Sequence, residues 1–221
     1  MKTAAIVLGG GYGLRSGFSS PKQFLPLGGR PLFDYSVEKF LSLGIDLIVA
    51  VLINDYQKYY QPHPGIGLIA PGGEERQWSV LNGLRICPPE TGLVIIHDAA
   101  RPFFPTEGVK EGLKLLEDNL YDGLALAIPA VDTLVEVEGQ KIISFPDRQR
   151  IYQTQTPQLF RFEAMFKAYQ QLGSQRPFTD DLSLAYAAGL RCGLVNGSQL
   201  NFKITTRLDW ELAEKIIKDS F

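Results

Sequence analysis

The chain has 221 residues, 45% of them hydrophobic and 21% charged, which favours one sizeable α/β domain over residues 1–221. Its 22 basic and 24 acidic residues give a net charge of −2, which excludes the strongly basic footprint of a nucleic-acid-binding domain or a polybasic membrane anchor. Two cysteines, Cys87 and Cys192, cannot form a disulfide framework, so we expect both as small buried side chains in a cytoplasmic protein.

Short apolar runs without polar alternation recur along the chain, at 4–8, 47–52, 67–70, 93–96 and 124–128. Such runs are typical of strands that are buried on both faces. The first run ends at glycines, which predicts a buried strand rather than a secretory leader. No run approaches the ~18 residues that a membrane span requires, so no membrane partner is expected.

Helical patterns separate these strands. Pro31 opens one pattern and Gly44 closes it, which is the usual order of proline first and glycine last. Similar patterns occupy 75–86, 106–120 and 161–172. The alternation of strand and helix predicts a doubly wound, mainly parallel sheet, with ligands bound at the carboxyl ends of its strands.

One segment departs from the alternation. Residues 133–144 have the period of two that is typical of a hairpin, with a turn near Glu138-Gly139. We expect a protruding arm over about residues 131–153. Because a protruding hairpin leaves apolar side chains and open edges, we expect this arm to form a subunit contact in a homodimer.

The C-terminal part is predicted to hold a strand near 202–204 and a final helix at 209–218. Asp209 follows Thr206 by three residues, which is the spacing of a capping box. A contact of Asp209 with metal is the alternative.

A glycine-rich segment, Gly-Gly-Gly-Tyr-Gly-Leu-Arg at 9–15, directly follows the first strand, and Lys22 comes after a short loop. Glycines let backbone N–H groups approach an anion, and the two cations flank them, as in a cradle for a triphosphate. The dinucleotide fingerprint fails because Leu14 stands where a third glycine is required, which disfavours an oxidoreductase. The structural alternative is a tight connection between strand and helix.

The segment His97-Asp98-Ala99-Ala100 ends the run at 93–96. An aspartate at the carboxyl end of a buried strand lies where ligands bind, and it suits Mg²⁺ or a ribose hydroxyl. The small alanines leave room for a ribose or base. Asp98 could instead stabilise a turn or cap a helix, and His97 is predicted to be a packed strand residue rather than a base.

Other polar positions allow a ligand-binding or a structural role. Arg148 could be surface charge on the arm, residues 156–158 a turn, and Lys203 an exposed strand lysine. Thr179 or Asp180 could be a helix N-cap.

Taken together in order, these pieces closely resemble the 2-C-methyl-D-erythritol 4-phosphate cytidylyltransferase family, over essentially the whole chain. The pieces are the glycine loop with Arg15 and Pro21-Lys22-Gln23, Gly72-Gly73-Glu74-Glu75-Arg76 with Ser79-Val80, His97-Asp98-Ala99-Ala100-Arg101-Pro102, Pro129 with Asp132-Thr133, Thr156-Pro157-Gln158, Thr179-Asp180-Asp181, Asn201 with Lys203, and Asp209. The full set in order is specific, although each piece alone is not.

The resemblance implies a nucleotidyltransferase-type sheet that binds CTP and a polyol phosphate. We expect Mg²⁺ or another divalent cation, bound mainly through the CTP phosphates, with Asp98 as a candidate protein contact. It implies the formation of 4-diphosphocytidyl-2-C-methyl-D-erythritol and pyrophosphate, a step of the non-mevalonate isoprenoid route. The residues that would surround the reacting phosphates are Arg15, Lys22 and Lys203. The residues that would bind the nucleotide are Gly9, Gly10, Gly11, Gly73, Glu74, Ser79, Asp98 and Ala99. The residues that would bind the sugar phosphate are Asp98, Arg101, Thr156, Thr179, Lys203 and, from a second subunit, Arg148.

Two alternatives stay open. The segments 152–155 and 205–206 also resemble ribitol 5-phosphate cytidylyltransferases, whereas Ala99-Ala100 and Thr179-Asp180-Asp181 favour methylerythritol phosphate. A catalytically silent nucleotide-binding or scaffold protein could share the fold.

Overall fold

The structure, a computed structural model, describes residues 1–10, 20–173 and 178–219, and a seven-stranded sheet organises them. The strands of this sheet are β1 (Lys2–Gly9), β4 (Leu47–Leu52), β5 (Leu68–Pro71), β6 (Thr91–Asp98), β7 (Gly123–Pro129), β10 (Tyr152–Arg161) and β11 (Cys192–Asn196). Two short pairs accompany it, β2 (Pro26–Leu27) with β3 (Arg30–Pro31) and β8 (Glu136–Glu138) with β9 (Lys141–Ser144). The helices are α1 (Leu32–Ser42), α2 (Arg76–Ile86), α3 (Thr106–Glu117), α4 (Phe162–Leu172), α5 (Asp181–Ala187) and α6 (Arg207–Asp219).

The strand order is β11-β7-β10-β6-β1-β4-β5, and β10 is antiparallel to both of its neighbours while the other pairs are parallel. Helices α1 and α3 cover one face of the sheet, and α2, α4 and α5 cover the other. Successive side chains of β1 point to opposite faces of the sheet, and both faces are buried under helices. Ala5 packs under α1 and α3, and Ile6 packs under α2, α4 and α5, which is why the strand has no polar alternation. The prediction of a doubly wound, mainly parallel sheet is confirmed.

Local sequence signals account for several element ends. The predicted first helix begins after Pro31 and is followed by Gly44 at φ +72°, a left-handed conformation that glycine adopts without strain. The predicted capping box at α6 is confirmed, because Thr206 donates its backbone N–H to Asp209 Oδ2 and Asp209 donates its backbone N–H to Thr206 Oγ1. The helix α3 ends at Glu117, three residues before the predicted end, since Asn119 has φ +58°.

Three predictions in the second half of the chain are wrong. Residues 202–204 form no strand, because Ile204 donates its N–H to the carbonyl of Ala100 beyond the end of the sheet ladder. Residues 156–158 lie within β10 at a register shift next to the cis Thr156-Pro157 bond, rather than in a turn. Cys192 is half-buried at the edge of the sheet, whereas Cys87 is buried as expected.

The hairpin of β8 and β9 stands in a two-stranded sheet of its own, and Gly139 at φ +60° occupies its turn. Its apolar side chains are exposed, including Val137 and Ile142 at about half of their surface. The position agrees with the predicted hairpin, and its role as a subunit contact stays a prediction. In the described part of the chain, no helix is both long enough and apolar enough to cross a lipid bilayer.

Candidate functional site

A cleft opens at the carboxyl ends of β1, β5 and β6, where the predicted ligand edge of the sheet lies. Its first lobe has a volume of about 360 Å³. The lining residues of this lobe are Leu8, Gly9, Gly10, Lys22, Gln23, Gly73, Glu74, Glu75, Arg76, Ser79, Asp98, Ala100 and Lys203. Backbone from three strand ends and side chains from distant segments therefore meet in one place.

Two glycine segments approach each other closely at the floor of the first lobe. A Cβ on Gly72 would lie 3.0 Å from the Cα of Gly10, so side chains would force these backbones apart. Gly73 donates its N–H to Ser79 Oγ at 2.9 Å, which fixes the turn before α2. The result is a floor made largely of backbone, which a bulky anion can approach.

Lys22 reaches the first lobe from a short 3-10 turn, Lys22–Phe24. The next residue, Gln23, is buried and donates from Nε2 to the carbonyl oxygen of Gly9 at 2.8 Å. This hydrogen bond joins the 3-10 turn to the end of β1. The backbone that carries Lys22 is therefore held beside the glycine floor.

Asp98, the last residue of β6, lies between two cations. Arg76 Nε donates to Asp98 Oδ1 at 3.0 Å, and Lys203 Nζ donates to Oδ2 at 2.6 Å. Burial alone would raise the pKa of this carboxyl, but the charges of Arg76 and Lys203 hold it well below its usual range. Asp98 is therefore a fixed anion at the centre of the cleft.

A second lobe of about 200 Å³ lies on the other side of Asp98. Its lining residues are Arg76, Asp98, Arg101, Thr154, Gln155, Thr156, Gln158, Thr179, Asp180 and Lys203. Hydroxyl and amide groups dominate this lining, together with the cations of Arg101 and Lys203. Such a set of donors and acceptors suits a ligand with several hydroxyls and a phosphate.

Arg101 is partly buried in the second lobe, with Nη1 donating to the carbonyl of Asn201 at 2.7 Å. Burial lowers the pKa of its guanidinium, and the Asp98 charge partly opposes that shift. Its Nε is buried and has no hydrogen-bond partner within residues 1–10, 20–173 and 178–219. Because the Arg101 cation lines the second lobe, it favours an anionic ligand there.

His97 is fully buried next to Asp98 but belongs to the core rather than the cleft. Its Nδ1 lies 3.2 Å from Thr156 Oγ1, and its Nε2 lies 3.1 Å from Ser36 Oγ. Burial lowers its pKa to about 3, so the imidazole is neutral near pH 7. The prediction of a packed strand histidine is confirmed.

Most of the predicted site residues that the structure describes converge on this cleft. Those in the first lobe are Gly9, Gly10, Lys22, Gly73, Glu74, Ser79, Asp98 and Lys203, and those in the second are Asp98, Arg101, Thr156, Thr179 and Lys203. Ala99 is buried in the core, and its neighbour Ala100 lines the first lobe in its place. Two predicted residues, Gly11 and Arg15, lie outside the described residues.

Arg148 lies apart from both lobes of its own chain. It is exposed on the 3-10 turn Arg148–Arg150, and its Nη1 donates to the carbonyl of Val131 at 3.1 Å. The predicted contact with a sugar phosphate bound by a second subunit stays a prediction.

The most prominent residue that sequence reasoning missed is Arg76. It lines both lobes and binds Asp98 and Asp181. Its position in the sequence could have indicated a role in ligand binding, because Arg76 is the first residue of α2 and follows the glycine turn after β5. Its buried partner Asp181 is 105 residues away, and no local pattern indicates that pairing.

Asp98 is the carboxylate predicted to contact Mg²⁺, and Glu74 and Glu75 line the same lobe. The described residues contain no group of three or more His, Cys, Asp or Glu side chains that could hold a metal ion. Both Asp98 oxygens already accept hydrogen bonds from cations. A metal ion at this place would therefore be held mainly by the phosphates of a bound ligand, with Asp98 as a side-chain contact that it would share with Arg76 and Lys203.

The fold and the cleft together define an α/β protein with a cation-lined cleft at the carboxyl ends of its parallel strands, a place that suits anionic ligands. The sequence model of the 2-C-methyl-D-erythritol 4-phosphate cytidylyltransferase (IspD) family matches residues 3–219. The chain belongs to this family.

Named relatives agree with this membership. The chain is 37% identical to the 2-C-methyl-D-erythritol 4-phosphate cytidylyltransferase of Carboxydothermus hydrogenoformans, over 96% of this chain and 94% of that one. It is 38% identical to the enzyme of the same name from Aquifex aeolicus, over 96% of each chain. It is also 37% identical to the bifunctional enzyme IspD/IspF of Granulibacter bethesdensis, of which it spans 56%.

Solved structures show the same fold. A 4-diphosphocytidyl-2C-methyl-D-erythritol synthase from Anaerococcus prevotii superposes with a TM-score of 0.83 at 25% identity, over 98% of each chain. The Francisella tularensis 2-C-methyl-D-erythritol 4-phosphate cytidylyltransferase gives a TM-score of 0.82 at 28% identity, over 97% of this chain and 99% of that one.

Proposed function

We propose that this chain joins CTP and 2-C-methyl-D-erythritol 4-phosphate, giving 4-diphosphocytidyl-2-C-methyl-D-erythritol and pyrophosphate. A phosphate oxygen of the sugar phosphate attacks the α-phosphorus of CTP in line, and the bond to pyrophosphate breaks. The observation that carries this proposal is a pair of lobes with one common wall, made by Arg76, Asp98 and Lys203. CTP in the first lobe and sugar phosphate in the second would meet at that wall.

Electrostatics supply most of the proposed catalysis. Two anions must be held together while the equatorial oxygens of the reacting phosphorus gain charge, so fixed cations lower the barrier. Lys22 and Lys203 line the first lobe, and Arg15 would join them from the glycine loop. Lys203 also lines the second lobe, which suits a cation that contacts both reactants.

Binding roles follow from the two linings. The backbone of Gly9, Gly10 and Gly73, with Glu74 and Ser79, would hold the nucleotide in the first lobe. Arg101, Thr156 and Thr179 would hold the phosphate and hydroxyls of the sugar phosphate in the second lobe. Asp98 would contact both ligands.

The reaction requires no general base from the protein. The attacking oxygen belongs to a phosphate monoester, which is largely ionised at neutral pH. His97, the nearest imidazole, is buried and neutral in the core, so it is not available to take a proton.

Mg²⁺ is the proposed metal, and Asp98 is the residue that would contact it beside the phosphates of CTP. When bound there, it would neutralise charge on the leaving pyrophosphate. We expect EDTA to abolish pyrophosphate release and to weaken CTP binding measured by calorimetry, and added Mg²⁺ to restore both. Full activity in EDTA would contradict the proposed requirement for a divalent metal ion.

The proposed assembly is a homodimer through the hairpin. Val137, Ile142, Ile143 and Phe145 expose about half or more of their surface there. Apolar surface of this kind favours a protein contact. Arg148 follows the hairpin in sequence. In such a dimer, Arg148 of one subunit would lie near the second lobe of the other subunit.

A coupled assay of pyrophosphate release tests the function directly. The purified protein is given CTP and Mg²⁺ with methylerythritol 4-phosphate, with ribitol 5-phosphate or with neither. We expect turnover with methylerythritol 4-phosphate. Turnover with ribitol 5-phosphate alone would assign the sister reaction, and CTP binding without turnover on either substrate would indicate a silent nucleotide-binding protein.

A further inference from the structure

A chain of hydrogen-bonded side chains, buried at Tyr169 and Asp181, runs behind the cleft and joins the first residues of α2 and α5. The hydroxyl of Tyr169 donates to Asp181 Oδ1, and Arg76 Nη2 donates to Asp181 Oδ2 at 2.7 Å. Arg76 Nε then donates to Asp98 Oδ1 at 3.0 Å, and Lys203 completes the chain on Oδ2. Five side chains therefore connect α4, which carries Tyr169, to the wall that the two lobes share.

Asp181 is the deeply buried anion of this chain, with no exposed surface. A buried carboxylate is tolerated only when its oxygens are hydrogen-bonded and its charge is paired. Arg76 and Tyr169 satisfy one oxygen each. Burial would lower the pKa of Arg76, but Asp181 and Asp98 raise it well above its usual value, so the guanidinium stays charged.

The shape of the guanidinium gives Asp181 an influence on the cleft. Its donors form a rigid planar fork, so a bond that fixes Nη2 also fixes the direction of Nε. Asp181 holds Nη2 from the buried side, and Nε points at Asp98. Among the residues that the structure describes, loss of Asp181 would leave Asp98 as the one hydrogen-bond partner of the guanidinium, which could then turn about that single bond.

We propose that Asp181 is a positioning residue that acts through Arg76 to orient Asp98 between the two ligands, with Tyr169 as its support. This inference rests on the proposed function of the cleft. Asp181 is also the first residue of α5, directly after Thr179 and Asp180 of the second lobe. The same ion pair therefore fixes the rim of the second lobe relative to the first.

The kinetic test compares two substitutions on the chain with one outside it. Asp181→Asn keeps the shape but removes the charge, and we expect kcat/KM for methylerythritol phosphate to fall about 10²-fold, the scale of a reacting group misplaced by 1 Å. Tyr169→Phe should cost about tenfold, the scale of one lost hydrogen bond. The control is Asp122→Asn, because Asp122 also binds an arginine, Arg191, but precedes β7 at the opposite end of the sheet.

A double-mutant cycle separates positioning from mere stability. Arg76→Gln removes the fork, so adding Asp181→Asn to it should change kcat/KM by no more than about twofold, since coupled positions are not additive. The Tm of the double variant should be higher than that of Arg76→Gln alone, because a neutral amide then replaces the buried carboxylate that had lost its cation. The inference would be overturned if the fold-losses of the two single variants multiplied in the double variant, or if Asp181→Asn reacted at the wild-type rate.

A crystal structure of ligand-free Asp181→Asn tests the inference without turnover. We expect the Arg76 guanidinium to leave its position on Asp98. An unmoved guanidinium, still hydrogen-bonded to Asp98, would overturn the positioning role even if the wild-type protein is active. A wild-type protein that releases no pyrophosphate would instead overturn the proposed function, and the crystal structure would still decide the role of Asp181.

Discussion

The cleft and the hairpin are built from opposite kinds of contact. In the cleft, Asp98 and its partners Arg76 and Lys203 come from distant segments and hold one another at hydrogen-bond distances. In the hairpin, β8 and β9 pair only over a few neighbouring residues, and Ile142 is half exposed. A charged group therefore has a fixed position in the cleft, whereas the apolar side chains of the hairpin gain burial only from another surface.

This difference separates the expected effects of substitution. A change in the cleft removes charge from a preorganised site, so activity should fall while the chain remains folded. A change on the hairpin removes no contact from the core, so association should change while folding does not.

The largest loss is expected for Lys203→Ala. Lys203 lines both lobes and lies 2.6 Å from Asp98 Oδ2, so its removal takes away a cation shared by both reactants. We expect kcat to fall about 10³-fold, the upper scale for one lost transition-state contact. The rate of pyrophosphate release at saturating substrates measures this. Lys58→Ala, on an exposed lysine paired with Asp55, is the control, and equal rates in both variants would remove Lys203 from the mechanism.

Lys22→Ala should lower kcat by at least about 10²-fold, because the lysine lies beside the glycine floor where phosphates would bind. Lys22→Arg keeps the charge and should retain more of the rate than the alanine variant. Single-turnover measurements with purified protein compare the three forms. Wild-type turnover by Lys22→Ala would show that the lysine has no part in the reaction.

Arg148→Ala tests whether the hairpin region serves the cleft of a second chain. We expect KM for methylerythritol phosphate to rise about tenfold, since a hydrogen bond to a charged group contributes about 1.5–3 kcal/mol. KM for CTP should change little. Arg150→Ala on the same 3-10 turn is the control. Equal losses for both substrates would contradict the assignment.

The neutral His97 predicts a pH dependence of folding. The unfolded histidine binds a proton near pH 6.5, whereas in the fold its pKa is about 3, so the unfolded state binds more protons between these values. Its contribution is complete above about pH 6.5 and is lost as pH falls towards 3, by about 1.4 kcal/mol per pH unit.

Urea unfolding at pH 7 and pH 5 measures that contribution. The free energy of unfolding should fall less for His97→Gln than for the wild type over this interval. His63→Gln, in a loop away from the cleft, is the control for the loss of a histidine elsewhere in the chain. The same dependence in all three proteins would contradict a neutral buried His97.

The smallest effect on folding is expected for Ile142→Glu. The side chain is half exposed, so the free energy of unfolding should change by less than about 0.5 kcal/mol. Association should respond, because a charge placed on the proposed apolar contact opposes its burial. Sedimentation velocity should show a shift from dimer to monomer, and Leu208→Glu on exposed α6 should leave the dimer intact. A persistent dimer in Ile142→Glu would exclude the hairpin contact.

The features of the fold that depend on neighbouring residues could be predicted from local patterns in the sequence. Apolar runs predicted the parallel strands β1, β4, β5, β6 and β7 but not the parallel edge strand β11. The Pro31 and Gly44 signals predicted the bounds of α1, and the Thr206 and Asp209 spacing predicted the cap of α6. The order of the motifs gave the family and most of the cleft residues. These signals succeed because strand burial, helix ends and caps follow from local backbone geometry and side-chain polarity.

Only the tertiary structure decided which distant charges meet. The antiparallel β10 lies between β6 and β7, a position that no local period in residues 152–161 indicates. Asp98 meets Lys203, and Arg76 meets Asp181, across 105 residues in each case. The physical reason is that hydrophobic periodicity places a residue on a face of its own element, whereas the pairing of buried charges depends on how the whole sheet and its helices are ordered.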